Sequence, residues 1–319
     1  MRRRQLLASL LLPAHAAPRP RMMWADESRL GRPFAKDPSV IEFQNRFLLY
    51  YSLPGTGPRG TGWGIGIAHS TDLIQWHKAA EILPQQDCEQ NGICAPGARV
   101  IDGRVHLFYQ TYGNGRRDAI CHAESADGLT FQRHPANPVF RPAGDWHAGR
   151  AIDADIIQFR GRWHLYAATR DPDMKVQMIL GAVAEPGRGF GPDAWKPLAP
   201  HPLLKPELPW ERDCIEAPTT LIRNGKLYMF YAGGYNNAPQ QIGCAMSDDG
   251  IAWRRLFPEP LLPNGAPGSW NSSESGHPGV LVTRSGKTHL FFQGNPDRGK
   301  TWWLSQVELG WRNQRPYVR

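Results

Sequence analysis

Cysteine is scarce, at five in 319 residues, and no two stand as a Cys-x-x-Cys pair. A scaffold built on disulfides is therefore excluded. The odd count leaves at least one thiol free unless it bridges chains, and only Cys88 and Cys94 are near enough in sequence to suggest a bridge. A dense Lys/Arg tract is also missing. The formal charge is +8, falling to +5 without Arg2, Arg3 and Arg4, and so diffuse an excess argues against nucleic acid. No stretch beyond the first residues is apolar enough to span a bilayer. No linker-like run interrupts the 33 Gly and 29 Pro, which points to a single domain over residues 18–319.

At the N-terminus, a basic start, an apolar run from Leu6 to Leu12 and Ala14-His15-Ala16 have the form of a secretory leader with a cleavage site. Residues 1–17 are thus expected to be an export signal, with the arginine cluster hinting at the twin-arginine route and a periplasmic or secreted destination. Twelve Trp and nine Tyr supply core area and flat faces of the kind that stack on sugars.

Self-similarity is the strongest signal. Five segments, starting at Asp37, Cys94, Asp153, Glu216 and His277, each read as a short β-branched strand, a turn and an aromatic-rich alternating strand. The turns are Gln44 and Asn45, Asp102 and Gly103, Arg160 and Gly161, Asn224 and Gly225, and Ser285 and Gly286. These starting residues are 57, 59, 63 and 61 positions apart. Small and apolar residues follow, then Ser-x-Asp turns at Ser70, Ser125 and Ser247 leading to an aromatic; the third repeat is looser. Four strands in each of five repeats predict an all-β fold, a five-bladed β-propeller of antiparallel four-stranded blades. Met22, Met23 and Trp24 are candidates to close the ring on the last blade, while residues 309–319 carry no repeat signal and are expected to fray.

In such a ring the first strand of each blade lines a central funnel, so the five leading residues should face one another. Three are acids, and their mutual repulsion is a cost that catalysis explains better than stability does. In an ideal pentagon with carboxylates roughly 4–5 Å from the axis, Asp37 and Glu216 stand about 8–9 Å apart, wide enough for a water between base and sugar. Asp153 lies about 5–6 Å from Glu216, near enough to raise its pKa. The roles that follow are Asp37 as general base, Glu216 as proton donor and Asp153 as the residue that tunes it. Cys94 reads as a small buried filler.

Lys36-Asp37-Pro38-Ser39, Ile152-Asp153 and Ile215-Glu216-Ala217-Pro218 resemble the three acidic motifs of glycoside hydrolase family 43 and its relatives, including family 117. The resemblance covers residues 36–307 and implies a glycosidase, mainly inverting, acting on furanosidic or anhydro-sugar linkages of plant or algal carbohydrate. It implies the same three roles in the same chain order. Family 43 commonly has Asp-Pro at its second motif where this chain has Asp153-Ala154-Asp155, so Asp155 is a rival to Asp153. The resemblance also implies that His277 lies beside a structural calcium or sodium ion; no other cofactor is expected. Trp63, Trp146, Arg150 and Trp270 are expected at the substrate, with His277 and Asp155. Trp24, Tyr112, His147, Glu211, Tyr235, Asn236, Glu274 and Trp302 are further loop candidates. Fructan-active families 32 and 68 share the propeller, but their Asn-Asp-Pro-Asn and Glu-Cys motifs differ from those here. A carbohydrate-binding propeller without chemistry would not need acids at these places.

Overall fold

The computed structural model describes residues 22–319; the expected leader at residues 1–17 lies outside them. Alternating sequence and tight turns produce five antiparallel sheets, each with its four strands side by side in chain order. Blade 1 is β1 (Lys36–Phe43), β2 (Arg46–Leu53), β3 (Gly64–Ser70) and β4 (His77–Ile82). Blade 2 is β5 (Ile93–Ile101), β6 (Arg104–Thr111), β7 (Ile120–Ser125) and β8 (Gln132–Arg133). Blade 3 is β9 (Ile152–Phe159), β10 (Arg162–Arg170), β11 (Gln177–Ala184) and β12 (Lys196–Pro197). Blade 4 is β13 (Ile215–Arg223), β14 (Lys226–Gly233), β15 (Gln241–Ser247) and β16 (Arg254–Arg255). Blade 5 is β17 (Glu274–Val282), β18 (Thr288–Asn295), β19 (Trp303–Arg312) and β20 (Arg315–Val318). The protein is the five-bladed propeller that the repeat predicts.

The first hairpin turns of blades 1 to 4 hold two consecutive residues at positive φ, as at Asn224 (50°) and Gly225 (74°). This is the twist that suits a two-residue hairpin. Blade 5 departs: Val282 pairs with Thr288, and a longer loop is closed by Thr283 N–H donating to the Lys287 carbonyl.

The Ser-x-Asp turns join neighbouring blades. In each, the serine and aspartate accept backbone N–H groups, for example Gly128 N–H to Ser125 Oγ at 2.8 Å. Tyr50 of blade 1 donates to the Gly128 carbonyl of blade 2 at 2.9 Å, and Tyr166 of blade 3 to Gly250 of blade 4 at 3.0 Å. Apolar cores fill the gaps between blades, one of them packing Ile41, Tyr50 and Ile67 against Val105, Leu107 and Tyr109.

Three blades also carry a buried acid held by a tyrosine of the second strand and a cation of the fourth. Asp26 accepts from Tyr51 at 2.7 Å and pairs with Lys78 at 2.9 Å. Glu89 accepts from Tyr109 at 2.5 Å and pairs with Arg133 at 3.2 Å. Glu211 accepts from Tyr231 and pairs with Arg255, both at 2.7 Å. Glu211 is therefore a framework residue and not a substrate contact.

The ring closes through its N-terminal segment. Trp24 exchanges hydrogen bonds with Leu304 at 2.9 and 2.8 Å, and Ser305 Oγ donates to the Met22 carbonyl. Met22 to Trp24 thus takes the edge of β19 that β20 leaves open. The tail is ordered, contrary to the sequence expectation: residues 309–312 complete β19 and pair with β20, because Tyr228 of blade 4 donates to the Gln314 carbonyl and fixes that turn.

Every first strand is kinked near its start. A register shift falls at Lys36/Ser39, Cys94/Gly97, Glu216/Thr219 and Gly276/Gly279, with the matching shift on β10 at Tyr166/Ala168. Each kink contains one left-handed residue: Asp37 (55°), Ala95 (47°), Asp153 (55°), Ala217 (53°) and His277 (48°). Cys94 and Glu216 therefore stand one residue ahead of the register that Asp37, Asp153 and His277 share, a correction to the five equivalent positions. The extra residue of a bulge hides this offset from any reading by strand period.

Arg255→Met should leave Glu211, which has no solvent exposure, as an unpaired buried charge and cost about 3–5 kcal/mol of stability. Denaturant unfolding would show this, and Glu211→Gln in the same chain should recover part of the loss. An unchanged midpoint for Arg255→Met would contradict the framework role.

Candidate active site

The bulges put side chains at the funnel mouth, and the preceding blade pins their backbone. Asp37 N–H donates to Gln293 Oε1 at 3.1 Å, Asp153 N–H to Gln110 Oε1 at 2.8 Å and Ala95 N–H to Ser52 Oγ at 2.8 Å. Left-handed non-glycine residues persist only where surroundings over-determine them, and these bonds do so. A cavity of about 30 Å³, lined by the bulges of all five blades, leaves room for a water on the axis.

The structure brings Asp37, Asp153, Glu216 and His277 together. His277 Nε2 lies 3.4 Å from Asp37 Oδ1 and 3.4 Å from Asp153 Oδ1. The three acids are 6%, 8% and 6% exposed, so each is buried but open on one side. Burial alone would deprotonate His277, yet Asp37, Asp153 and Glu216 together push it up to about 9. Burial likewise would raise Asp37, but the charges of His277 and Lys36 and the Ser52 hydroxyl hold it below its ordinary value. Glu216 moves the other way: burial and then the neighbouring Asp153 raise it, against His277, Gln240 and Lys36. One pocket thus holds one acid displaced towards the ionised form and another displaced towards the protonated form.

Both oxygens of Glu216 are held. Gln177 Nε2 donates to Oε2, and Gln240 Nε2 donates to Oε1 at 2.6 Å. The orientation of Gln177 follows from Arg170 and Arg150, which donate to its Oε1 at 2.8 and 3.3 Å. That of Gln240 follows from its second bond, to the Gly234 carbonyl at 3.0 Å. A Cβ on Gly276 would fall 1.8 Å from Gln240 Oε1, so glycine there lets the amide reach the acid. Sequence reasoning missed both glutamines; the only clue was that each stands at or beside the start of a third strand.

The other expected residues divide. Asp155 is engaged by the framework: both its oxygens lie 3.0 Å from Arg99 Nη2, and it accepts from Thr220 N–H at 2.8 Å. The spacing of Asp153 and Asp155 would place them on one face of a regular strand, but Asp153 is left-handed, and it is Asp153 that approaches His277. Arg150 pairs with buried Asp118 at 3.4 Å and supports Gln177. Trp146 packs edge-on to His147 at 4.6 Å, and Trp270 packs over Phe292 at 5.5 Å. Trp63 is better placed, in an aromatic row that runs from Tyr112 (5.0 Å) through Trp63 to Phe34 (5.7 Å) and on to Trp302 (6.4 Å). Cys94 is buried beside Asp37 and Asp153, and burial followed by those charges pushes its thiol well up.

His277 does not fit the ion that the resemblance implies. The nitrogen that would ligate it lies 3.4 Å from a carboxylate oxygen on each side, and the field of those acids pushes its pKa up to about 9, which suits a ring that supplies positive charge itself. Among the described residues no group of three or more His, Cys, Asp or Glu forms a metal-binding cluster, whereas a hard ion asks for several oxygens.

Residues 30–308 match the family model for glycosyl hydrolases family 43. The chain belongs to glycosyl hydrolase family 43. It is similar to the solved endo-1,4-beta-xylanase from Bacteroides thetaiotaomicron VPI-5482, at 20% identity over 89% of this chain and 94% of that one, TM-score 0.69. An alpha-L-arabinofuranosidase from Lactobacillus brevis matches at 16% identity over 89% and 94%, TM-score 0.68. A Bombyx mori family 32 beta-fructofuranosidase matches at 18% identity over 94% of this chain and 65% of that one, TM-score 0.71. At such identities the likeness is one of fold.

Two predictions follow for the hydrolase. Gly276→Ala should displace the Gln240 amide, remove a bond that favours ionised Glu216, and move the alkaline limb of the pH-rate profile to higher pH. A limb that stays in place, or moves down, would contradict the clamp. His277 is raised from 6.5 to about 9, so its contribution to stability is fully present below pH 6.5 and is lost as pH rises through about 9. The stability gap between wild type and His277→Gln, measured by denaturant unfolding, should shrink across that window; a constant gap would show that the ring is not charged.

Proposed function

We propose that this hydrolase cleaves a furanosidic or anhydro-sugar linkage of plant or algal oligosaccharides with inversion of configuration. The observation that carries the acid–base reading is the meeting of Asp37, Asp153 and Glu216 around His277 in one pocket, with Asp37 displaced downward and Glu216 upward; inversion and the sugar class follow from the family resemblance. Glu216 gives its proton to the leaving oxygen as the glycosidic bond breaks. Asp37 takes a proton from the water that attacks the anomeric carbon on the opposite face. Asp153 raises the pKa of Glu216 and, through His277, is tied to the base. Exchange with solvent then returns the proton from Asp37 to Glu216. The relative named for an arabinofuranoside is in keeping with a furanosidic linkage, and the one named for xylan extends the candidates to the pyranosidic bonds of xylosides.

The test is proton NMR of the anomer first released from 4-nitrophenyl α-L-arabinofuranoside, the β-xyloside, or arabinan and agar oligosaccharides. The first product should have the inverted configuration, and on the unactivated oligosaccharides, whose leaving group needs a proton, Glu216→Gln should lower kcat by about 10²–10⁴-fold while still binding. Retention of configuration would overturn the inverting assignment; undiminished turnover by Glu216→Gln would overturn its role as acid.

A further inference from the structure

The bulge register shows an equivalence that strand period conceals. One residue before the left-handed position, the blades carry Lys36, Cys94, Ile152, Glu216 and Gly276. Lys36 therefore occupies in blade 1 the place that Glu216 occupies in blade 4, and both side chains enter the same pocket. The Lys36 ammonium lies 4.5 Å above the Trp302 ring. Asp37, Glu274, Glu216 and Tyr112 are its charged or titratable neighbours, and all act on it through space with no hydrogen bond.

Those acids have other partners. Asp37 pairs with His277, and Glu216 is held by Gln177 and Gln240. Glu274 accepts from Asn237 N–H at 2.7 Å, Gln240 N–H at 3.3 Å and Gln293 Nε2 at 3.2 Å. Among the described residues Lys36 has no protein acceptor for its three donors. Burial would tend to discharge it, but the field of Asp37, Glu274 and Glu216 keeps its pKa raised. A charge needed only to balance these acids would close onto one of them, since the four-carbon stem is flexible. Instead it rests on a tryptophan face, at the end of the aromatic row formed by Trp302, Phe34, Trp63 and Tyr112.

We propose that Lys36 is a specificity-determining residue that binds an anionic substituent of the sugar, a uronate carboxylate or a sulfate ester, while the ring stacks on Trp63 and Tyr112, the members of the row that are not buried. The assignment rests on the glycosidase reading above, because the bound group belongs to the molecule that Glu216 protonates. An ammonium to carboxylate or sulfate bond is charge-assisted and stronger than one to a hydroxyl, so it selects acidic over neutral sugars.

The experiment measures binding without turnover. Glu216→Gln protein is titrated by calorimetry with a glucuronoxylan oligosaccharide against its carboxyl-reduced form, and with a sulfated galactan oligosaccharide against its desulfated form. The proposal expects at least about tenfold tighter binding of the charged member in one pair, and the pair that shows it identifies the anion. Adding Lys36→Gln should abolish the preference, whereas adding Lys36→Arg should keep most of it and show that the loss is not one of folding. Equal affinities within both pairs, no binding of either charged member, or a preference that survives Lys36→Gln would each overturn it. Failure here leaves the glycosidase reading standing, since that is judged by Glu216→Gln turnover and the product anomer.

Discussion

The His277 ring, placed between Asp37 and Asp153 at 3.4 Å from each, is the interaction on which the pocket depends. Three acids so close would repel, and burial would drive all of them towards the neutral form. One shared cation breaks that symmetry. It lowers Asp37 and joins base and tuning residue into a unit, while burial and Asp153 displace Glu216 the other way against its field. The arrangement stands on backbone geometry, since Asp37, Asp153 and His277 are each the left-handed residue of a bulge.

Holding five bulges in place requires a stiff ring. Tyr50, Tyr166 and Tyr228 each reach a turn of the next blade. The buried acids Asp26, Glu89 and Glu211 are each satisfied within their own blade by a tyrosine and a cation. Arg99 and Asp155 tie three blades together, since Arg99 of blade 2 also donates to the Thr220 carbonyl of blade 4 at 2.8 Å. Preorganisation of this kind lets buried charges keep their displaced pKa values without rearrangement during reaction.

Much of this was legible in the sequence because the repeat is explicit. The blade number, four of the five hairpin turns and the meeting of Asp37, Asp153 and Glu216 could be read from period and turn residues. What failed has a common cause. A bulge inserts a residue without any propensity signal, so alignment by strand period sets Cys94 and Glu216 one place off and hides that Lys36 is the residue equivalent to Glu216. The glutamines that clamp Glu216 come from 39 residues before it and 24 after it, beyond any local pattern. Trp146 and Trp270 stood out by loop position, yet their rings pack against His147 and Phe292, whereas Trp63 and Trp302 belong to the aromatic row.

The central claim is that one pocket drives two carboxyls apart. Carbon-13 NMR titration of the labelled Asp and Glu carboxyls, assigned with Asp37→Asn and Glu216→Gln, measures it directly. The account predicts that Glu216 titrates above its ordinary 4.5 and Asp37 below its ordinary 3.8. Glu216 titrating at or below Asp37 would contradict it.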